Sequence, residues 1–180
     1  MTADTTQLER TLVKVAVPLL VTAMVLVVAR RRWLSWREEL GLAWPGAKQA
    51  GLWLAIYVVW MLGSNAIWGW RGPWDFATWA QTPLGVAMLR VLAVGVLGPI
   101  AEELVFRGGL YARLIGTRVG VTGAVVLLAA GWAVVHTSYS GGVVALIFVD
   151  GLLLGAARYY SRSVVAPILM HVAWNLYAVW

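Results

Sequence analysis

The stretch that decides the fold is GPIAEELVFRG, residues 98–108. It places two adjacent carboxylates, Glu102 and Glu103, and a nearby Arg107 among apolar residues. An ionisable side chain in hydrocarbon costs at least about 2.5–3.5 kcal/mol, and such residues usually mark function. On a helix Glu103 and Arg107 share a face, whereas Glu102 points about 100° away. We therefore predict that Glu103 pairs with Arg107 and that Glu102 is available for chemistry. The alternative is one buried ion network of all three.

The composition is that of a membrane protein. Of the 180 residues, 61% are hydrophobic and 12% are charged, which is too apolar for a soluble domain. At about 20 residues per spanning helix, the chain has room for five or six spans. The net charge of +6 does not indicate a nucleic-acid partner, because the basic residues cluster in short loops as topology signals. The absence of cysteine excludes thiolate nucleophiles and thiolate metal sites.

Hydropathy predicts an all-α, polytopic bundle of about six transmembrane helices, forming a single integral membrane domain over residues 1–180. The apolar run from 84 to 116 is too long for one ordinary span. Gly98-Pro99 gives a natural break, because proline removes an amide donor and clashes with the preceding turn. We therefore expect an interfacial or re-entrant segment at about 84–97. The predicted spans are 11–29, 47–68, 99–116, 119–136, 143–157 and 164–180.

Arginines set the predicted orientation. Arg30, Arg31 and Arg32 follow the first apolar run, which has no small-residue cleavage site and is expected to be a retained anchor. Basic loops face the cytoplasm, so the N-terminus is predicted outside. The remaining cytoplasmic arginines in this scheme are Arg113, Arg118, Arg158 and Arg162. Tryptophans between residues 68 and 79 are expected to form an interfacial belt on the outer side.

The only two histidines fall in later apolar segments. His136 follows Trp132 by four residues, and His171 precedes Asn175 by four, so each pair shares a helix face. Either histidine alone could be a satisfied core residue, and Asn175 could simply join helices by a hydrogen bond.

The depths of these residues can be compared at about 1.5 Å per residue. Measured from the cytoplasmic end, His136 lies about 26 Å, Glu102 about 21 Å and Asn175 about 17 Å up their spans. A span that began at residue 84 would leave Glu102 near the cytoplasmic end, out of reach of His136. Convergence in the outer half of the bilayer therefore favours the break at Gly98-Pro99.

A glutamate, two histidines and an asparagine suit hydrolysis. A carboxylate can act as general base on water, a histidine can hold that water or bind a metal, and histidine and asparagine can donate hydrogen bonds to an oxyanion. No H-E-x-x-H is present, so a zincin-type metalloprotease is excluded.

Asp150 is a further carboxylate within a predicted span. It could pair with an arginine or line a substrate path, and the sequence does not choose between these. Gly151 and Gly155 follow it as a small-xxx-small pair suited to close helix packing.

These residues together resemble the CPBP family of intramembrane proteases, which includes the CAAX prenyl endopeptidases and bacteriocin-processing or immunity-type proteins. The family pattern is E-E-x-x-x-R, then aromatic-x-x-x-H, then H-x-x-x-N. The chain matches it at Glu102–Arg107, Trp132–His136 and His171–Asn175. The resemblance covers about residues 98–177. Trp132 stands where the family usually has phenylalanine.

The resemblance implies an intramembrane endopeptidase. By resemblance, Glu102 activates water with the help of His136, and His171 and Asn175 stabilise the oxyanion. The supporting residues would be Glu103, Arg107 and Trp132. No cofactor is expected to be required. The alternative is a divalent metal such as zinc, with Glu102, His136 and His171 as its ligands.

The expected substrate is a membrane-anchored protein in the lipid bilayer, cleaved near its C-terminal anchor or sorting signal. An outward-facing site resembles that of the myxosortase subgroup and indicates a bacterial or archaeal inner membrane. One alternative is a cytosol-facing CAAX-type endopeptidase. The others are a non-enzymatic immunity or assembly protein, and a proton-relay or transport subunit built on Glu102, Asp150 and the histidines.

Overall fold

The computed structural model describes residues 3–70 and 81–179, which form helices and short connections without strands. The six helices are α1 (Ala3–Arg31), α2 (Ala47–Trp68), α3 (Leu84–Leu114), α4 (Gly120–Val134), α5 (Gly141–Ser161) and α6 (Val165–Val179). Helices α1, α2, α3 and α5 are long and apolar enough to cross a membrane, and α4 and α6 are shorter apolar helices. The predicted all-α membrane bundle is confirmed for this part of the chain.

Helix α3 departs from the prediction, because residues 84–97 are not a separate re-entrant segment. They continue without a break into a helix of 31 residues. Two π-helical stretches, Ala93–Leu97 and Leu104–Leu110, interrupt its α-helical winding. The Gly98 amide donates to the Ala93 carbonyl, five residues back. The wider turn before Pro99 accommodates a ring that would clash with the backbone of a regular α-helix. The predicted break at Gly98-Pro99 is therefore wrong.

A side chain from α6 supplies the donor that this proline lacks. In the π-helical register, the carbonyl left without a partner by Pro99 is that of Val94, five residues earlier. The Asn175 Nδ2 group donates to that oxygen at 2.8 Å. Because a buried carbonyl needs a partner, this bond joins α6 to α3 beside the widened turn.

Helices α4 and α5 cross where glycine permits close approach. A Cβ atom on Gly151 would lie 2.8 Å from the Ala129 Cα, and one on Gly155 would lie 2.7 Å from the Val125 Cγ1. Both distances are too short for a side chain. The predicted small-xxx-small contact is confirmed.

Arg158 lies inside α5 and is buried, rather than in the loop where its charge predicts it. Its Nε donates to the Arg107 carbonyl at 2.9 Å, and its Nη2 donates to the Glu39 carbonyl at 3.0 Å. The guanidinium also lies 5.0 Å from the Tyr111 ring centroid. Arg158 thus links the loop after α1 to α3 and α5 by hydrogen bonds.

Part of the predicted tryptophan belt, at Trp74 and Trp79, lies outside the described residues. Within the described residues, Trp68 is exposed but Trp70 is buried. The Trp70 ring stacks on Trp174 of α6 with centroids 4.1 Å apart. Trp70 therefore packs in the bundle rather than contributing to a belt.

Candidate active site

The two adjacent glutamates of α3 lie in different surroundings. Glu103 is 0% exposed and Arg107 is 1% exposed. The Arg107 Nη1 donates to the Glu103 Oε1 at 2.9 Å, and Nη2 donates to the Gly151 carbonyl at 3.2 Å. The ion pair predicted between Glu103 and Arg107 is present within α3, and the bond from Arg107 to the Gly151 carbonyl joins α3 to α5.

His171 completes this buried cluster from α6. Its Nδ1 lies 2.9 Å from the same Glu103 Oε1. Because an ionised carboxylate only accepts hydrogen bonds, Nδ1 is the donor, which leaves Nε2 to face other groups. Of the alternative network of Glu102, Glu103 and Arg107, only the pair of Glu103 and Arg107 is therefore present. The third member of the cluster is His171 and not Glu102.

Glu102 is half-buried and bonds to α4 instead. The Trp132 Nε1 donates to the Glu102 Oε2 at 2.7 Å. A phenylalanine, the usual family residue here, has no such donor. The substitution noted in the sequence therefore has a structural consequence: an indole N–H holds one oxygen of the carboxylate.

Trp132 also contacts three other polar side chains. Its ring meets His136 and His171 edge-on, with centroids 5.3 and 5.1 Å away. The Arg107 guanidinium lies 4.8 Å from the Trp132 ring centroid. Trp132 is itself buried, and it contacts both the cluster around Glu103 and the side chains of Glu102 and His136.

His136 lies just beyond the end of α4. Its Nδ1 lies 2.8 Å from the Trp132 carbonyl. A carbonyl cannot donate, so Nδ1 carries the proton. In the neutral ring, Nε2 is then an acceptor able to face water.

A cavity of about 460 Å³ brings these residues together. Among its lining residues are Glu102, Trp132, His136, His171 and Asn175. The four predicted catalytic residues therefore face one space, together with the predicted supporting residue Trp132. Glu103 and Arg107 lie behind this wall, because both are buried and neither lines the cavity.

Glu102 and His136 line one cavity although α3 is unbroken. The prediction that a span beginning at residue 84 would keep Glu102 out of reach of His136 is therefore wrong. Glu102 lies twelve residues before the end of α3, about 18 Å along the helix, and His136 lies sixteen residues after the start of α4, about 24 Å. Both distances are measured from the short turn between α3 and α4. They do not change with the position at which α3 begins.

Further residues of the cavity wall were not identified from the sequence as parts of the site. Among them are Lys14 of α1, Trp174 of α6 and Tyr139 of the turn after α4. Tyr139 stacks on His136 with centroids 5.9 Å apart. Burial, and secondly the charge of Glu102, raises the pKa of the Tyr139 phenol above its usual value. The sequence feature that could have identified Tyr139 is its position three residues after His136.

Asp150 lines the same cavity and is 1% exposed. The Trp60 Nε1 of α2 donates to its Oδ1 at 2.6 Å. Of the two possibilities left open by the sequence, the structure places this carboxylate on the cavity wall, held by a tryptophan.

A bound divalent metal, the alternative considered above, requires side chains that are arranged as its ligands. Within residues 3–70 and 81–179, no group of three or more histidine, cysteine, aspartate or glutamate side chains is arranged to hold a metal ion. The possible ligand set Glu102, His136 and His171 does not form such a cluster.

The fold and site define a polytopic helical membrane protein with a polar cavity inside its bundle. The family model for type II CAAX prenyl endopeptidase Rce1-like proteins matches residues 84–177, a little over half of the chain. The chain belongs to this family, and the predicted relation to the CPBP intramembrane proteases is confirmed. It is thus an intramembrane CAAX-type endopeptidase. Searches of curated proteins and of solved structures found no match.

The extent of the match agrees with the structure of α3. The resemblance found in the sequence begins at residue 98, whereas the family match begins at residue 84, where α3 itself begins. The family unit therefore includes the whole of this helix and ends within α6.

Proposed function

We propose that this protein hydrolyses a peptide bond near the C-terminus of a membrane-tethered protein, with Glu102 as the general base. The observation that carries the proposal is the shared cavity, which Glu102, His136, His171 and Asn175 all line. Four polar side chains from α3, α6 and the end of α4 meet there, although they are far apart in the sequence.

In the first step, Glu102 takes a proton from a water molecule in the cavity. The oxygen of that water forms a bond to the carbonyl carbon of the substrate, and the carbonyl electron pair moves to oxygen. His136 Nε2 accepts a hydrogen bond from the same water and holds it in place. The Trp132 indole leaves the second oxygen of Glu102 to meet the water, because it bonds only one.

The oxyanion is stabilised from α6. The Asn175 amide has two N–H groups, and one is used on the Val94 carbonyl. The other is available to the substrate oxygen, and the bond to Val94 fixes its direction. Glu103 holds the His171 ring at Nδ1, and His171 supplies a second hydrogen bond to the oxyanion from its other ring nitrogen, Nε2. Preorganised donors of this kind are usually the largest contribution to such a reaction.

In the last step, protonated Glu102 gives its proton to the nitrogen of the leaving amine as the C–N bond breaks. The products are a carboxylic acid and an amine, which become a carboxylate and an ammonium group when the acid passes its proton to the amine, and Glu102 returns to its ionised state. No cofactor enters this scheme. We expect activity to persist after treatment with a metal chelator, and complete loss reversed by zinc would favour the metal-dependent alternative.

The proposal is tested by cleavage of a lipidated C-terminal peptide by the purified protein in detergent. We expect Glu102→Gln to lower kcat by about 10²–10⁴-fold, the usual contribution of a positioned base. His136→Ala should also lower kcat. Glu9→Gln is the matched control, because Glu9 lies on α1 outside the cavity. Full cleavage by both Glu102→Gln and His136→Ala would overturn the assignment and favour a non-enzymatic role.

The arginines support an outward-facing site, and with it a substrate that carries a C-terminal sorting signal. Glu102 and His136 lie far along α3 and α4 from the short connection between these helices, where Arg113 ends α3 and Arg118 precedes α4. Because the chain lacks cysteine, single cysteines at Ser138 and Thr117 would report on the two ends. We expect an impermeant thiol reagent to label Ser138→Cys but not Thr117→Cys in intact cells. The opposite result would favour the cytosol-facing alternative.

A further inference from the structure

Helix α1 ends in a Schellman motif in which tryptophan stands where glycine is usual. The Leu34 amide donates to the Ala29 carbonyl at 3.0 Å, and the Trp33 amide donates to the Arg30 carbonyl at 3.2 Å. In this motif the residue after the helix is left-handed and is most often glycine. Trp33 adopts this conformation with a φ of 57°, which is unfavourable for a bulky side chain. Glycine would therefore end this helix with less strain.

Packing within the protein does not explain this tryptophan. The Trp33 side chain is 94% exposed, so it buries almost none of its surface against the rest of the chain. A strained residue that gains so little from packing is grounds for inferring a function. At the end of an apolar helix, tryptophan is typical of the boundary between a membrane and water.

The end of α1 lies at the level of the lipid headgroups. Residues 11–29 of this helix are predominantly apolar and are about 28 Å long, which matches a hydrocarbon core of about 30 Å. Trp33 follows directly. Tyr159 and Tyr160 at the end of α5 are also exposed, and Arg158 bonds α5 to the loop after α1. Aromatic side chains of both helices thus meet the membrane surface at one level.

A hollow of about 430 Å³ lies beside Trp33. It is lined by Arg30, Trp33, Leu34, Ser35 and Trp36. Residues 30–37 contain four arginines and no acidic residue. All four arginines are exposed, and the ion pairs found among residues 3–70 and 81–179 do not include them. The hollow therefore combines aromatic rings with positive charge that is not neutralised by an ion pair within the described part of the chain.

The loop that carries the hollow is held firmly by other helices. The Arg158 Nη2 donates to the Glu39 carbonyl at 3.0 Å, and the Val164 amide donates to the Gly41 carbonyl at 2.9 Å. Leu40, between these two carbonyls, is 0% exposed. Because the loop is already ordered, a ligand that binds there loses little affinity to the ordering of the protein.

We propose that this hollow binds the phosphate group of an anionic phospholipid. Arg30 would pair with the phosphate oxygens through charge-assisted hydrogen bonds, and the neighbouring arginines would attract a negatively charged leaflet. The rings of Trp33 and Trp36 would lie among the headgroups and the upper part of the acyl chains. A dissolved phosphate ion would use the arginines but not the tryptophans, so the strained and exposed Trp33 favours a lipid.

The test measures lipid binding to the purified full chain in detergent by native mass spectrometry, and it does not depend on peptide cleavage. We expect phosphatidylglycerol to bind with a Kd at least tenfold below that of phosphatidylcholine. Arg30→Gln should raise the Kd for phosphatidylglycerol about tenfold, as for the loss of one charge-assisted hydrogen bond. Arg118→Gln is the control, because Arg118 is exposed just before α4 and does not line the hollow. Equal weakening by both variants would show an effect of overall charge and would overturn the inference.

Trp33→Gly separates lipid binding from folding. Glycine adopts the left-handed conformation without strain, so the thermal unfolding temperature without lipid should not fall. The Kd for phosphatidylglycerol should rise about fivefold or more, because the aromatic contact is lost. Unchanged lipid binding by this variant would overturn the inference. Displacement of the lipid from the wild-type protein by equimolar inorganic phosphate would also overturn it, since it would indicate a site for a dissolved anion.

Discussion

The two sides of α3 at residues 102 and 103 have opposite characters. On the closed side, Glu103 is fully buried and bonds to both Arg107 and His171. On the open side, Glu102 lines a cavity of about 460 Å³ and bonds to one indole. Neighbouring residues on a helix point about 100° apart, so two identical side chains enter two different environments.

This difference shows how two adjacent carboxylates of one membrane helix can be held by different partners. On the closed side, the opposite charges of Glu103 and Arg107 compensate each other, and their hydrogen bonds link α3 to α5 and α6. These links hold in place the backbone that carries Glu102. The open side keeps one carboxylate oxygen free of the protein. We therefore expect substitutions on the closed side to act mainly on stability, and those on the open side to act mainly on activity.

The largest expected effect is on the closed side. Glu103→Gln should lower the free energy of unfolding by about 3–5 kcal/mol, because it leaves the buried Arg107 without its counter-charge. Glu102→Gln, an identical change one residue earlier, should alter the same quantity by less than about 1 kcal/mol. Thermal or denaturant unfolding in detergent measures both. Equal destabilisation by the two variants would break the comparison.

The next largest expected effect is on stability, at the contact between α4 and α5. Gly151→Ala should lower the free energy of unfolding by about 1–3 kcal/mol, the usual cost of overpacking, because its Cβ would lie 2.8 Å from the Ala129 Cα. Gly131→Ala in α4 is the control, since a Cβ there meets no atom within 4 Å. That variant should gain up to about 1 kcal/mol from helix propensity. A stable Gly151→Ala protein would show that α4 and α5 can move apart freely.

The smallest expected effect is on the open side. Trp132→Phe keeps an aromatic ring but removes the indole N–H, so we expect kcat to fall about tenfold with little change in KM, as for the loss of one charge-assisted hydrogen bond. Trp60→Phe, which removes the corresponding donor to Asp150, is the control. A double-mutant cycle with Glu102→Gln, read by unfolding, should give a coupling energy of about 0.5–1 kcal/mol, the low end of the usual range for contacting residues. Zero coupling would remove the indole from the proposed mechanism.

Much of this fold could be predicted, because membrane helices are encoded locally. The span predicted at 47–68 coincides with α2, and those predicted at 119–136, 143–157 and 164–180 agree with α4, α5 and α6 to within about four residues. The spans predicted at 11–29 and 99–116 begin eight and fifteen residues after the starts of α1 and α3. The error at Gly98-Pro99 has a definite cause. Proline breaks a helix unless the freed carbonyl finds a partner, and that partner is Asn175, far along the chain. No reading of the local sequence can supply it.

Hydropathy and helical period are local properties, so the sequence alone was enough to predict the membrane class, the motif residues and the different surroundings of Glu102 and Glu103. Only the tertiary structure decided that Trp132 holds Glu102, that Asn175 completes the π-helical turn and that α1 brings Lys14 to the cavity. The physical reason is that these contacts join helices distant in the chain. Their geometry is set by helix packing and by the need of every buried polar group for a partner.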